Sequence, residues 1–544
     1  MSALPRPPGE PAPRRAQGAA TIATAHPLAS EAGLAVLAAG GNAVDAAIAA
    51  AAVLGVVQPM MSGLGGDSFI LWRCAKTGAV HSVQGSGPAP QGLDAAQFVS
   101  RGLRLLPERG LIAASVPGAV DAMCLALAEF GSGTHSLADL LAAAIAHAQD
   151  GVPVATSVAK FFAANAELLA KSDSTRATFL ARGRPPTEGE TLAQPDLART
   201  LRELAAGGSR AFYEGGVARA LAASSAALGG AFSAGDLRDY RAEIAKPIAT
   251  RWGSRTLYSN PPVGQGIVLL EAAGICAQLI AARGVPSQAL RTHWMIEALK
   301  FAFADRTRHV GDPRFVDNPL ERLLSPAHLA ACAARIEDGR ALQAPCVSMG
   351  DGDTTCLSVA DREGNVAAYI TSLSTPFGSG VVVPGTGVLM NNRAGRGFSL
   401  DPQAPNRLEP GKRTVSTLHA YIAVDDAGGL LAGGTSGGDG QPQSNLQILD
   451  AILNRGFDIQ AAIDMPRWEL SPGTDPVGLG RPYELRVDAR QDRCLVDALA
   501  ALGHAIGNTP LGMLGASQLV ASSGGGSFAS AADARADGCA LALD

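Results

Sequence analysis

The alternation of apolar and polar positions predicts two consecutive helices near the start of the chain. From His26 onward, apolar residues recur at helical spacing until the pair Gly40-Gly41, which ends a helix as a C-cap does. Asn42 begins a second helix, in which residues 43–57 are almost all Ala, Ile, Leu and Val. This helix is apolar around its circumference and therefore belongs in the protein interior. It is also shorter than the roughly 20 apolar residues that span a bilayer.

After these helices the pattern predicts strands and then more helices. Residues 68–73 and 79–84 are strand-like runs on either side of a turn, which indicates a hairpin packed on the buried helices. Residues 115–335 carry mostly helical signals, clearest at 137–149 and 292–306, with a strand-like run at 248–258. Beyond about residue 350, Val, Thr and Ile dominate short runs separated by Gly, Asp and Asn turns, at 354–360, 366–373, 381–390 and 421–424. A helix-rich first part is thus followed by a sheet-rich lobe.

Composition narrows the class of protein. A chain of 544 residues suggests three or four domains, but 64 Gly and 34 Pro spread along its length fit one large layered α/β body equally well. A net charge of −5 without a long run of Lys or Arg argues against a nucleic-acid partner. Residues 1–18 are rich in Pro and lack the apolar core of a secretory signal, so we expect a disordered leader and a cytoplasmic protein. The eight cysteines show no CxxC or Cys/His ligand spacing, and we expect reduced thiols, no metal site and no cofactor.

One common catalytic motif, GxSxG, occurs with its serine at Ser436. An α/β-hydrolase elbow also needs an acid and a histidine downstream, for which Asp464 and His504 are available. The regular alternation of strands and helices that this fold requires is absent around the motif. We therefore disfavour the elbow, and we expect structural roles for the scattered histidines.

Two glycine-rich segments, residues 63–67 and 433–443, are either tight turns or ligand-binding loops. The second follows a strand-like run at 430–432 and precedes a helical run at 444–453. Glycines in this position let consecutive backbone N–H groups point into a pocket at a helix N-terminus, where they bind an oxyanion. No Lys follows these glycines, which argues against phosphate.

A set of motifs in the second half resembles the small subunit of the gamma-glutamyltransferase family. In chain order the motifs are Asp353-Thr354-Thr355, the turn at 361–365, Phe377-Gly378-Ser379-Gly380, Asn391-Asn392, Gly411-Lys412-Arg413 and Gly437-Gly438. Residues 25–30, 40–47, 63–66 and 311–313 resemble the large subunit of the same family. Each motif is weak by itself, but the ordered set spans about residues 20–540 and is specific.

The resemblance implies an N-terminal nucleophile hydrolase with an α/β fold, a four-layer αββα sandwich. It divides the chain into the leader 1–18, a large subunit at 19–353 and a small subunit at 354–544, with a self-catalysed cut between Asp353 and Thr354. Thr354 then supplies the nucleophilic hydroxyl, and its freed α-amino group supplies the base. No histidine is required.

The resemblance also implies the remaining site residues. Gly437 and Gly438 donate backbone N–H groups to the oxyanion, and Ser372 lies beside Thr354. Ser416 and Thr417 replace the paired serines that hold the substrate carboxylate. Ser374 joins them as a substrate-binding residue.

Two departures from the family pattern concern the substrate. The stretch 83–90 has no Arg where the classical enzymes bind the α-carboxylate of glutamate, and the acid that binds the α-ammonium is replaced by Arg393 and Arg396. An ammonium buried against a guanidinium is unfavourable, whereas a carboxylate gains a bidentate partner. We therefore expect a small amide that carries a carboxylate but no α-amine. The branch with these motifs resembles oxamate amidohydrolase and acylase-like members.

Three alternatives remain at this point: a classical gamma-glutamyltransferase or glutathione hydrolase, a processed but inactive binding protein, and an unrelated α/β binding protein. The expected partners are the amide substrate and the two subunits from one precursor, with neither nucleic acid nor membrane. A homo-oligomer of that heterodimer stays open, as does the choice of water or an amine as acceptor.

Overall fold

Most strands of the protein belong to two large antiparallel sheets. The computed structural model describes residues 12–342, 353–471, 482–507 and 515–544. Within these ranges the strands are β1 (Arg15–Gly18), β2 (Ala20–Thr24), β3 (Asp67–Arg73), β4 (Val80–Gly85), β5 (Val152–Pro153), β6 (Thr191–Leu192), β7 (Glu243–Ala245), β8 (Ile248–Trp252), β9 (Arg255–Ser259), β10 (Asp353–Ala360), β11 (Val366–Ser374), β12 (Tyr421–Asp425), β13 (Leu430–Thr435), β14 (Trp468–Ser471), β15 (Glu484–Val487), β16 (Ser517–Gly524), β17 (Ser527–Ala532) and β18 (Cys539–Leu543).

Strands from the two halves of the sequence alternate within both sheets. One seven-stranded sheet has the order β1-β17-β16-β13-β12-β9-β8, and the other has the order β18-β2-β10-β11-β3-β4-β7. Strands β10 and β11 therefore lie between β2 and β3, which come from the first part of the chain. In the other sheet, β12 pairs with β9 and β17 pairs with β1.

Helices cover the outer faces of both sheets. They are α1 (Pro27–Ala38), α2 (Ala43–Val57), α3 (Ala95–Val99), α4 (Ala119–Phe130), α5 (Leu137–Asp150), α6 (Thr156–Ala164), α7 (Ala166–Leu169), α8 (Asp173–Phe179), α9 (Pro195–Tyr213), α10 (Gly216–Ser224), α11 (Ala234–Arg238), α12 (Gly266–Arg283), α13 (Gln288–His309), α14 (Leu320–Leu323), α15 (Pro326–Ala334), α16 (Arg393–Gly397), α17 (Gly440–Leu453), α18 (Ile459–Asp464) and α19 (Arg493–Ala501).

The period-2 alternation of side chains along the strands explains the layers. On β3, Phe69 and Leu71 join the core between the two sheets, whereas Ile70 and Trp72 join the core shared with helices α2, α4 and α5. On the other sheet, Ile422 faces the same intersheet core, and its neighbours pack against α12, α13 and α17. The predicted four-layer αββα sandwich is confirmed.

Helix α2 shows how the local sequence starts an element. The Asn42 side chain accepts hydrogen bonds from the backbone N–H groups of Val44 and Asp45, at 2.9 and 3.1 Å. The Asp45 carboxylate accepts one from the Asn42 backbone at 3.0 Å, which completes a capping box. Most of the helix is buried, as its apolar circumference predicted.

The structure differs from three sequence expectations. The strand predicted at 381–390 is instead a tight loop with one bridge between Val382 and Leu389, because Pro384 and two glycines of positive φ form a turn. The run at 248–258 is two strands, β8 and β9, separated by a turn at Gly253 (φ 60°). In the expected leader, Arg15–Gly18 forms the edge strand β1, while residues 1–11 lie outside the described ranges.

Helix α12 is long and apolar enough to cross a membrane by length and composition, alone among the described helices. Two-thirds (67%) of it is buried inside the protein, where it packs against β8, α13, α15 and α17. Its apolar character is accounted for by this core position.

Candidate active site

Thr354 lies at the start of β10, where this strand pairs with β11. The ladder places residue 353 opposite Ser374 and Thr355 opposite Thr371, with a register shift between them, so Thr354 occupies an irregular part of the sheet. Thr354 is only 2% exposed, and its Oγ accepts a hydrogen bond from Gln441 Nε2 at 3.2 Å. The preceding residues 343–352 and the side chain of Asp353 lie outside the described part of the chain.

The predicted oxyanion loop lies next to this threonine. The chain leaves β13, passes through Gly437 and Gly438, and enters α17. Both glycines have positive φ, 109° and 54°, a region that residues with a Cβ rarely adopt. Thr354 and Gly437 line one small cavity. The structure therefore brings the predicted nucleophile and the predicted loop to one place.

Gln265 binds the loop that carries Gly437 and Gly438. It precedes α12, and its Nε2 donates to the carbonyl oxygen of Gly438 at 2.9 Å and also to that of Thr417. One buried amide thus links the oxyanion loop to the predicted carboxylate-binding pair. No sequence motif around Gln265 indicates this role.

The two serines predicted on β11 lie close to each other. Ser372 is fully buried, and its Oγ accepts a hydrogen bond from the Ser374 backbone at 2.7 Å. Ser374 has a φ of 89°, which is uncommon for a residue other than glycine. Its hydroxyl is buried and has no hydrogen-bond partner within the described ranges. This hydroxyl therefore remains available to a ligand.

Arg393, at the start of α16, contacts the carboxylate-binding region directly. Its Nη1 donates to Thr417 Oγ at 3.3 Å, and its Nε donates to Asp67 at 2.8 Å. Burial raises the pKa of the Asp67 carboxyl above its usual value, and the adjacent guanidinium opposes that rise. The second terminal nitrogen of Arg393, Nη2, is buried without a partner in the described residues.

Two more guanidiniums complete a basic cluster. Arg396 donates to the carbonyl oxygen of Ser374 at 3.1 Å. Arg306 of α13 donates to the carbonyl oxygen of Ser416 at 3.2 Å and pairs with Asp439 at 3.4 Å. Both lower the pKa of Arg393 electrostatically, although less than burial does.

The cluster brings buried charges of both signs together. Among the described residues, Arg393 pairs with Asp67 and Arg306 pairs with Asp439. Arg396 is also buried there. A buried guanidinium can bind an anionic ligand through charge-assisted hydrogen bonds.

Several residues of this site were not identified from the sequence. Asp67 stands in the quoted glycine-rich segment 63–67 but was treated there as part of a turn. Arg306 and Asp439 come from a helix and a loop distant in sequence, and nothing in either segment indicates that they meet. Gln441 belongs to the segment 433–443, in which only the glycines were assigned a role.

Ser436, Asp464 and His504 do not form the catalytic triad of an α/β-hydrolase. Ser436 Oγ accepts a hydrogen bond from the Ala516 backbone at 2.8 Å. Asp464 pairs with Arg14 at 2.6 Å, and His504 bonds to His293 at 2.8 Å. The three members of the supposed triad therefore have separate structural partners.

Comparison with known proteins identifies the relatives of this chain. Residues 29–543 match the family described as Gamma-glutamyltranspeptidase. The glutathione hydrolase-like YwrD proenzyme of Bacillus subtilis is 37% identical over 89% of this chain and 90% of its own length. The oxamate amidohydrolase proenzyme of Klebsiella pneumoniae subsp. pneumoniae is 37% identical over 88% of this chain and 89% of its own length.

A solved structure shares the complete fold. The crystal structure of cephalosporin acylase from Bacillus halodurans matches with a TM-score of 0.88 and 33% identity, covering 100% of this chain and 99% of that chain. The similarity therefore extends over both halves of the sequence.

Proposed function

Because the chain belongs to the gamma-glutamyltranspeptidase family of self-processing amidohydrolases, we propose that Thr354 is its nucleophile and that it cleaves a small amide with a carboxylate but no α-amine. The placement of two buried arginines, Arg393 against Thr417 and Arg396 against Ser374, carries the substrate part of this proposal. The similarity to an oxamate amidohydrolase and to acylases supports it.

The proposed reaction uses Thr354 as both nucleophile and base. Cleavage before Thr354 frees its α-amino group, which takes the proton as the hydroxyl oxygen bonds to the amide carbon. The carbonyl oxygen becomes an oxyanion, for which we assign the backbone N–H groups of Gly437 and Gly438 as donors. The protonated amine then gives its proton to the departing nitrogen as the C–N bond breaks. Water, activated by the same amine, hydrolyses the ester on Thr354 and releases the acid.

The substrate carboxylate would bind near Ser374, Thr417 and Arg396. Arg396, which donates to the carbonyl oxygen of Ser374, is our candidate for the charge that selects a carboxylate. A substrate ammonium at the same place would face three guanidiniums, which is unfavourable in a buried site.

Self-processing is tested by Thr354→Ala. We expect one full-length chain of 544 residues on a denaturing gel, because the hydroxyl that attacks the preceding carbonyl is gone, whereas the wild type gives fragments of 353 and 191 residues. Thr354→Ser, which keeps a hydroxyl, is the matched control and is expected to cleave. A fragment beginning at residue 354 in the alanine variant would disprove the assignment.

Substrate choice is tested by comparing ammonia release from oxamate with hydrolysis of a gamma-glutamyl anilide. Arg396→Gln should lower kcat/KM for oxamate about tenfold or more, since a hydrogen bond to a charged group contributes about 1.5–3 kcal/mol. Arg407→Gln, at a half-exposed arginine that pairs with Glu409, is the control and should change neither activity. The proposal fails if the wild type prefers the gamma-glutamyl substrate or if Arg396→Gln leaves the ratio unchanged.

A further inference from the structure

A cluster of potential metal ligands lies between three helices, apart from the predicted catalytic residues. Glu271 comes from α12, Asp305 from α13, and His328 and Cys332 from α15. Their ligand atoms all lie within 4.8 Å of one another. The last two are four residues apart on one helix, so their side chains point to the same side, one turn from each other.

The imidazole of His328 is the centre of this cluster. Its Nε2 is 3.1 Å from Glu271 Oε1, 2.9 Å from Asp305 Oδ2 and 3.5 Å from Cys332 Sγ. A tetrahedral zinc site with bonds of about 2.0–2.3 Å separates its ligand atoms by about 3.3–3.8 Å. Small side-chain movements therefore suffice to place an ion among the four groups.

One carboxylate oxygen of Glu271 has no partner among the described residues of the cluster. Its side chain is fully buried, and its Oε2 has no hydrogen-bond partner in the part of the chain that the structure describes. A buried carboxylate oxygen without a partner is costly, and a metal ion would satisfy it.

A second group of ligand-type residues shows the contrast. His293, Glu297 and His504 also lie close together, but Lys300 donates to Glu297 at 2.7 Å and the two imidazoles bond to each other at 2.8 Å. That group already contains its own cation. The group around Glu271 has an imidazole but no lysine or arginine hydrogen-bonded to its carboxylates among the contacts described.

We propose that Glu271, Asp305, His328 and Cys332 form a structural Zn2+ site that joins α12, α13 and α15. One thiolate, one imidazole and two carboxylates suit Zn2+, whereas Mg2+ and Ca2+ prefer oxygen ligands alone. Asp305 and His328 are 15% and 18% exposed, so the ion has a path from solvent. All four positions are filled by protein, which is typical of a structural rather than a catalytic zinc site. The absence of a CxxC motif concealed this arrangement, because three separate helices supply the ligands.

The test uses the complete processed protein, with both subunits present, after removal of metal with a chelator. One equivalent of Co2+ should give the tetrahedral visible bands together with a thiolate charge-transfer band in the near ultraviolet. One equivalent of Zn2+ should displace the Co2+ and raise Tm, because an ion that binds only the folded state stabilises it. The failure of either result in the wild type overturns the proposal, whatever the substrate of the enzyme.

Two variants assign the ligands. Cys332→Ser should abolish the charge-transfer band, and Glu271→Gln should weaken Zn2+ binding at least tenfold while keeping the shape of the side chain. Cys494→Ser is the matched control, because this cysteine is exposed on α19, away from the cluster, and its loss should change neither property. A charge-transfer band that persists in Cys332→Ser, or that is lost in Cys494→Ser, contradicts the assignment.

Discussion

Gln441 is the residue that contacts the hydroxyl of Thr354 through a described side-chain hydrogen bond. Its Nε2 donates at 3.2 Å, which leaves the Thr354 oxygen free to use its own proton elsewhere. The other end of the amide, Oε1, is buried without a partner in the described ranges. A donor held against the nucleophile restricts its rotamers and directs its lone pairs. We therefore assign Gln441 a positioning role.

Replacement of this amide tests that role. Gln441→Leu should lower kcat about five- to tenfold, since one neutral hydrogen bond contributes about 1 kcal/mol, with little change in KM because the contact is to the enzyme and not to the substrate. Gln441→Glu, which keeps the length but offers no donor when ionised, should be at least as slow. Rate measurements on single-turnover acylation check both variants. An unchanged acylation rate in Gln441→Leu would show that this hydrogen bond does not position the Thr354 hydroxyl.

The residue scale also shows what sequence alone could provide. Thr354, Gly437 and Gly438 could be assigned roles from the sequence because they belong to contiguous motifs, and Ser372 was assigned through the family resemblance. Asp67 was visible in its motif, but its partner Arg393 lies 326 positions away, and the bridge between Gly65 and Met390 brings the two regions together. An ion pair between such distant positions has no local sequence signal.

At the scale of elements, glycines decide the shape of the loop between β13 and α17. Gly437 has φ of 109°, and a Cβ there would lie 3.3 Å from Gly515. The helix that follows begins at Gly440, earlier than the run at 444–453 indicated, because Gly and Pro in a first turn conceal a helix start. The loop and the start of the helix both contact the surroundings of Thr354, since Gly437 lines the same cavity and Gln441 donates to its hydroxyl.

Gly437→Ala should therefore affect catalysis more than stability. Displacement of one oxyanion donor lowers kcat about 100- to 1000-fold. Gly428→Ala is the matched control, since its φ of 91° is equally unsuited to alanine but nothing lies within 4 Å of its Cβ, so it should cost only stability. Measurement of kcat and Tm for both variants separates the effects. Equal kcat values for the two variants would show that Gly437 is not a donor to the oxyanion.

Patterns of hydrophobicity predicted individual elements better than their pairing. The apolar helix α2 and the hairpin of β3 and β4 follow from spacing within a few residues. The insertion of β10 between β2 and β11 does not, because period-2 patterns define the faces of a strand but not its neighbours. The fold class therefore came from the family resemblance rather than from the pattern.

At the scale of the whole molecule, buried imidazoles make stability depend on pH. Burial lowers the pKa of His26 to about 4 and those of His419 and His504 to about 3. Each folded-state pKa lies below the unfolded value of 6.5, so the stability is complete above that value and falls as the pH decreases. The raised pKa of the buried Asp67 carboxyl acts in the opposite direction.

We expect Tm to fall between pH 7 and pH 5, with each buried histidine contributing about 2 kcal/mol of lost stability at pH 5. Thermal unfolding followed by circular dichroism in buffers of equal ionic strength checks this. His419→Gln should flatten the dependence by roughly one third. A Tm that is constant over this range would show that the imidazoles are not buried in their neutral form.

Both sheets contain strands from before and from after residue 354, so the proposed cut has to follow folding. A continuous chain holds its segments at high effective concentration, so β10 finds its place between β2 and β11 as part of one folding event. After the bond before Thr354 is broken, the same arrangement would have to be rebuilt by two separate polypeptides. Once unfolded, the mature protein would not readily refold. Its working lifetime would therefore depend on its rate of unfolding.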